Sequence, residues 1–197
     1  LIMRIIRASA CRTMPWKNGG GTTTEIAAHP PGASLDGFDW RISMAHVGTD
    51  GPFSVFPGID RTLSVLTGRG IVLAFGDGES VQLELSTEPY PFAADRPVEG
   101  RLVDGPIDDL NVMTRRGRWL HEVTRFSGTG PIRLEMAGTL LVLVARSDGW
   151  MIASQDHRET LATGDSALLE SVEGVVLTNP HRSGEIFAIT LSAAPQN

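Results

Sequence analysis

Residues 38–47, FDWRISMAHV, alternate as an extended strand does. Phe38, Trp40, Ile42 and Met44 fall on one side of the chain, and Asp39, Arg41, Ser43 and Ala45 on the other. The apolar side belongs in a core. The polar side then faces either solvent or the inside of a barrel, so Arg41 is a surface charge in the first case and a pocket cation in the second. Period alone does not choose between them.

Downstream, residues 48–61, GTDGPFSVFPGIDR, are dense in turn formers but carry Phe53 and Phe56, which a plain solvent loop has no use for. This stretch is expected to fold back over apolar surface. Asp60 and Arg61 close it as a neighbouring acid and base, a pair that is weak when exposed but binds a ligand's charge at the mouth of a pocket. Residues 63–75 read as two apolar strands around the Gly68 to Gly70 turn, residues 81–85 alternate again, and Pro89, Pro91 and Pro97 interrupt the chain. A short strand is expected over 110–114, presented by an acidic turn. Asp104, Asp108, Asp109 and Asn111 do not make a calcium loop, because the glycine and closing glutamate of such a loop are missing. Residues 134–146, 150–153, 175–177 and 186–191 supply further apolar runs, with a Gly164-Asp165 turn leading into another. No segment keeps a helical period beyond about two turns. Many short strands with turns between them indicate a β-sandwich or barrel.

Upstream, residues 15–25 read PWKNGGGTTTE. Three glycines free the backbone for positive φ and for close approach of its amides. Trp16 offers an aromatic face, Lys17 a mobile cation and Asn18 a two-way amide, while Thr22 onward begins a strand. The stretch reads as a ligand-facing loop entering a strand or, on its residues alone, as a flexible hairpin with an incidental tryptophan; residues 3–14 before it read as one first strand.

Composition removes several classes of function. The net charge is -6, with 17 basic residues scattered among 23 acidic ones, which argues against nucleic acid as a partner. Arg115, Arg116 and Arg118 read as a solvated turn. One cysteine, Cys11, forms no internal disulfide and suits a reducing compartment. No apolar run of membrane-spanning length and no signal-peptide pattern is present, so a cytoplasmic protein without a membrane partner is expected. There is no G-x-S-x-G elbow and no phosphate-binding loop frame. Recognition of a small anion remains. Lys17, Arg41 and Arg61 suit a carboxylate, with Asn18 or Asn111 reading an amide-like group.

Taken together, PWKNGGGTTTEI, FDWRISMAHV, DGPFSVFPGIDR and DLNVM resemble the HutD/Ves family of small bacterial cupin-type proteins, which many bacteria encode with histidine-utilisation genes. The resemblance covers residues 14–116, and the second half follows mainly in its strand pattern. It implies an all-β bicupin: two double-stranded β-helix, or jelly-roll, halves packed as one compact body, a single domain over 3–197 with halves 3–117 and 118–197. It implies a regulatory protein of histidine catabolism that binds a carboxylate intermediate such as N-formylglutamate or urocanate. The family is not established as enzymatic. Carried onto this chain, the ligand-binding set is Lys17, Asn18, Glu25, Arg41, Ser43, Asp60, Arg61 and Asn111, with Trp16 and Trp40 as apolar walls and Gly19 giving close backbone approach. Cupin metal sites use two histidines one residue apart, and no two of His29, His46, His121, His157 and His181 have that spacing. No metal and no cofactor is therefore expected. The alternative is a metal-independent isomerase or hydrolase of the same acids, with Glu25 or Asp60 as general base. A homodimer is left open.

Overall fold

The computed structural model describes residues 2–154, 157–181 and 183–195. These residues are mostly strand, and the one helical element among them is the three-residue 3-10 turn Ala8–Ala10. In chain order the first strands are β1 (Ile2–Ile6), β2 (Arg12–Pro15), β3 (Gly21–His29), β4 (Trp40–Val47), β5 (Gly51–Pro52), β6 (Ile59–Thr67), β7 (Ile71–Phe75), β8 (Ser80–Leu83) and β9 (Tyr90–Ala93). There follow β10 (Val98–Leu102), β11 (Ile107–Arg115), β12 (Trp119–Ser127), β13 (Ile132–Ala145), β14 (Trp150–Ala153), β15 (Arg158–Leu161), β16 (Ser166–Thr178) and β17 (Glu185–Ala193). The chain divides into two units, one built on Arg12–Leu120 and the other on the residues up to Cys11 with His121–Ala193.

The unit built on Arg12–Leu120 has two antiparallel sheets. Six strands run in the order β2-β3-β4-β11-β6-β9, and four in the order β5-β10-β7-β8. One apolar cluster draws on both, with Val47, Leu63, Val65 and Ile107 from the larger sheet and Ile71, Leu73 and Val98 from the smaller. Each such fully buried aliphatic side chain stabilises the fold by roughly 1.5–3 kcal/mol. Residues 40–43 of β4 are buried in succession, so the strand is covered on both faces. Arg41 therefore faces an interior and not solvent.

At Gly21, the first residue of β3, an added Cβ would lie 2.1 Å from the His46 carbonyl oxygen and 3.0 Å from the Trp16 ring. Only glycine lets β3 lie this close to β4, and the same contact seats the Trp16 ring beside the strand. Phe53 and Phe56 do fold inward, each onto a separate apolar cluster of this unit.

In the other unit the sheet runs β12-β17-β13-β16-β14-β15, with β1 also paired to β16. Its core includes Leu141, Leu143, Trp150, Ile152, Leu161 and Leu169. The expected single strand over 3–14 is in fact two strands, β1 and β2, in different sheets. The cause is local. Arg7 donates to Asp165 at 2.8 Å and the Ala8 backbone N–H donates to the same carboxylate at 2.9 Å, which holds the 3-10 turn that ends β1.

Candidate functional site

Strand register builds the floor of a cavity of about 640 Å³ in the unit of Arg12–Leu120. On one face of the six-stranded sheet, Met113 of β11 pairs with Arg41 of β4 on one side and Arg61 of β6 on the other. Two residues along, Asn111 stands between Ser43 and Leu63; two further, Asp109 stands between Ala45 and Val65. The row after that is Val47 beside Ile107. The floor thus grades from a basic row through an amide row and an acidic row to an apolar end. Alternation along each strand is what keeps these residues on one face.

The polar groups on this floor are nearly out of water: Arg41 is 6% exposed, Arg61 7%, Ser43 2%, Asn111 2% and Asp109 1%. Arg61 donates through Nε to Asn111 Oδ1 at 2.8 Å, and its Nη2 donates to the same oxygen. The Asn111 amide in turn donates to Asp109 Oδ1. Arg61 also lies over the Phe53 ring, 4.8 Å from its centroid. Arg41 donates through Nε to Glu25 Oε2 at 2.8 Å. Its Nη1 and Nη2 have no hydrogen-bond partner among the described residues, and neither has the Ser43 hydroxyl.

Burial sets the electrostatics. The Asp109 carboxyl is pushed up to about 6, chiefly by desolvation, against the pull of Arg61 and of the Asn111 hydrogen bond. Desolvation likewise lowers the Arg61 guanidinium to about 10, with Asp109 opposing and Arg41 adding to the shift. A carboxyl whose folded pKa exceeds its unfolded value binds its proton more tightly when folded. Its contribution to stability is then lost as pH rises through the window between the ordinary value of 3.8 and about 6. Asp109→Asn is accordingly expected to gain on the wild type by on the order of 2 kcal/mol as pH goes from 4 to 7, read from urea midpoints. A difference between the two proteins that stays constant over that range would show that Asp109 does not titrate there.

The walls come from two loops. Trp16, Lys17, Asn18 and Gly20 come from one, and Thr49 to Ser54 with Phe56 from the other, the two adjoining where the Gly48 N–H donates to the Gly20 carbonyl at 2.8 Å. Trp16 is fixed by Nε1 donating to Thr23 at 2.7 Å, and Asn18 by its side-chain oxygen accepting from the Gly20 N–H at 3.0 Å. Of the residues singled out from sequence, Trp16, Lys17, Asn18, Arg41, Ser43, Arg61 and Asn111 all line this cavity.

The other four do not. Trp40 precedes Arg41 in the same strand and so points to the opposite face, where it stacks on His29 with centroids 5.9 Å apart. Asp60 precedes Arg61 in the same way and is held by Arg116 at 2.7 Å. Glu25 stands in the row of Ser43 but is engaged by Arg41 behind the lining. Gly19, at φ 73°, makes the turn, and of the three consecutive glycines it is Gly20 that touches the cavity.

Asp109 was missed because β11 begins at Ile107, three residues before the strand expected from the sequence. Running the period of two back from Asn111 would have found it. The acidic residues of the supposed turn go to separate partners: Asp104 pairs with Arg69, Asp108 with His46 and Thr67, and Asp109 with Asn111.

Residues 8–187 match a family model described as HutD. A Pseudomonas putida protein described as an uncharacterized 21.2 kDa protein in the hutC 3' region is 36% identical over 145 residues, covering 74% of this chain and 75% of that one. A solved structure of a conserved protein of unknown function from Pseudomonas aeruginosa PAO1 gives a TM-score of 0.85 at 37% identity, covering 98% of this chain and 100% of that one. HutD from Pseudomonas fluorescens SBW25, solved in a formate condition, gives 0.81 at 31% identity with the same coverage of 98% and 100%. At 10% identity and a TM-score of 0.67, oxalate decarboxylase from Lactobacillus farciminis shares the fold alone.

Proposed function

The chain belongs to the HutD family, and on that premise we propose that it is a small-molecule-binding regulatory protein of histidine utilisation whose ligand is a small carboxylate such as N-formylglutamate or urocanate. One observation carries the reading. Arg41 is almost wholly buried, yet neither of its terminal nitrogens has a partner among the described residues, and it lies on the floor of a cavity. A planar fork of donors in that state is made to receive a carboxylate in two parallel charge-assisted bonds. Arg61 and the Ser43 hydroxyl stand in the same and the next row to add further donors. The cavity volume and its mixed aromatic and polar lining suit a metabolite-sized acid.

The name of the Pseudomonas putida relative supports the link to histidine utilisation. The fold likeness to oxalate decarboxylase supports a cupin, and we read the two units as the two jelly-roll halves of a bicupin. No helix among the described residues is long and apolar enough to cross a membrane. We read it as a cytoplasmic protein, which its single cysteine suits, and its acidic charge as arguing against nucleic acid as a partner; a homodimer is compatible with this role.

Calorimetric titration with N-formylglutamate, urocanate, histidine and glutamate tests the proposal. Saturable heat at one site per chain with at least one of the acids is expected; no heat from any of them at millimolar concentration would end this ligand assignment. An isomerase or hydrolase of the same acids is favoured by one observation, the cavity-floor carboxyl of Asp109 poised at about 6. Glu25 and Asp60 no longer serve as its base, since both are taken up by arginines away from the lining. Steady turnover of an acid followed by NMR would replace the binding reading with this one.

A further inference from the structure

The floor of the cavity is polarised, and its acidic row has no part in holding a carboxylate. Asp109 lines the cavity at the opposite end from Arg41, with the Asn111 amide between it and Arg61. The Arg61 guanidinium and the Asp109 carboxylate are at most roughly 7 Å apart, the sum of two hydrogen-bond lengths and the width of an amide. A carboxylate offers about four acceptor positions. Among the described residues Asp109 accepts one side-chain bond, from Asn111, together with an interaction with the Ala45 backbone N–H. Asp109 itself lines the cavity, beside Ala45.

Apart from the Thr23 hydroxyl, the groups around this row are apolar. Thr23 stands in the same row as Ala45, and its hydroxyl accepts from Trp16 Nε1 at 2.7 Å. The Trp16 ring packs against Gly21, which pairs with Val47 in the next row. Val47 and Ile107 close that end. A ligand group lying there meets a flat aromatic wall, aliphatic side chains, the Thr23 hydroxyl and one carboxylate with acceptor capacity to spare. A second carboxylate placed there would meet Asp109 head on.

We propose that Asp109 is the specificity-determining residue of the site and that it reads an N–H donor on the ligand, so that the cavity takes small acids carrying a carboxylate at the arginine row and an N–H group at the acidic row. The inference rests on the carboxylate-binding reading above and adds the other end of the ligand. It also fixes orientation, because repulsion by Asp109 and attraction by Arg41 and Arg61 both turn the acid the same way. An acid of equal shape without an N–H leaves Asp109 desolvated and unpaired, which is where discrimination arises.

Two matched pairs test this by calorimetry at pH 7.5. Urocanate is set against 3-(2-furyl)acrylate, in which a furan replaces the N–H-bearing imidazole, and N-formylglutamate against 2-(formyloxy)glutarate, in which an ester oxygen replaces the amide N–H. The wild type is expected to favour the N–H member of a pair it binds by about 10-fold or more. Asp109→Asn, which keeps the shape and removes the charge, is expected to cut that preference to within about threefold while still binding the N–H-free acid. Equal affinity for both members in the wild type, or a preference kept in full by Asp109→Asn, overturns the role of Asp109 and leaves the carboxylate site standing. Absence of binding by all four acids overturns the carboxylate reading itself, and this inference with it.

Discussion

Arg61→Ala is expected to lose about 3 kcal/mol of folding stability at pH 7.5. Arg61 is the positive partner of Asp109 through the Asn111 amide, and both charges are buried. Removing it leaves an uncompensated carboxylate in a dry site and forfeits the stacking of the guanidinium over Phe53 and Phe92. The loss stays near the lower end for a broken buried pair because Asp109, already pushed up to about 6, escapes by taking a proton. That escape gives the prediction its signature. The gap between variant and wild type should narrow as pH falls below 6, where Asp109 is neutral in both, and Arg61→Ala with Asp109→Asn should recover a large part of it at pH 7.5. Urea denaturation with unchanged slope measures all three proteins. A loss below about 0.5 kcal/mol, or a gap that ignores pH, would mean that Arg61 does not compensate Asp109.

The second large effect is on binding. Arg41→Ala is expected to weaken ligand binding by about 1.5–3 kcal/mol, roughly 10- to 150-fold in Kd, because it removes a charge-assisted fork from a buried site. Folding should change little. The Glu25 carboxylate that Arg41 engages is 31% exposed and returns to water when its partner goes, so the ion pair is worth less than about 1 kcal/mol. A thermal melt close to that of the wild type, with the affinity lost, separates the two roles of Arg41. Arg41→Lys should restore only part of the affinity, since an ammonium keeps the charge but not the planar pair of donors. Unchanged affinity in Arg41→Ala would place the ligand somewhere other than the basic row.

The all-β architecture was legible because residues 38–47 alternate cleanly and no segment sustains a helical period. The cavity's basic residues were legible as a set but not as a face. Trp40 and Arg41, like Asp60 and Arg61, are chain neighbours in extended strands, so one of each pair must point away from any site the other enters. Choosing between them takes the register, and the register of β3 against β4 is shifted by an irregularity between Glu25 and Ala27 that nothing in TTTEIAA announces. Asp109 was hidden for another reason. Aspartate disfavours strands and follows the turn formers Gly105 and Pro106, so its residue-level signal was that of a loop. What holds it in a strand is tertiary: pairing with Ala45 on one side and Val65 on the other. The break of the first strand was equally out of reach, since it depends on Arg7 and Ala8 meeting Asp165, far along the chain.

The central claim is that a buried basic row holds the carboxylate of a small acid in the cavity of the Arg12–Leu120 unit. Its most direct test is a crystal structure of the protein soaked with urocanate and, separately, with N-formylglutamate. Electron density for the acid is expected on the floor between Trp16 and Phe53, with carboxylate oxygens about 2.7–3.0 Å from the terminal nitrogens of Arg41. A cavity that stays empty at saturating acid, or an acid seated with its carboxylate away from both arginines, would contradict it.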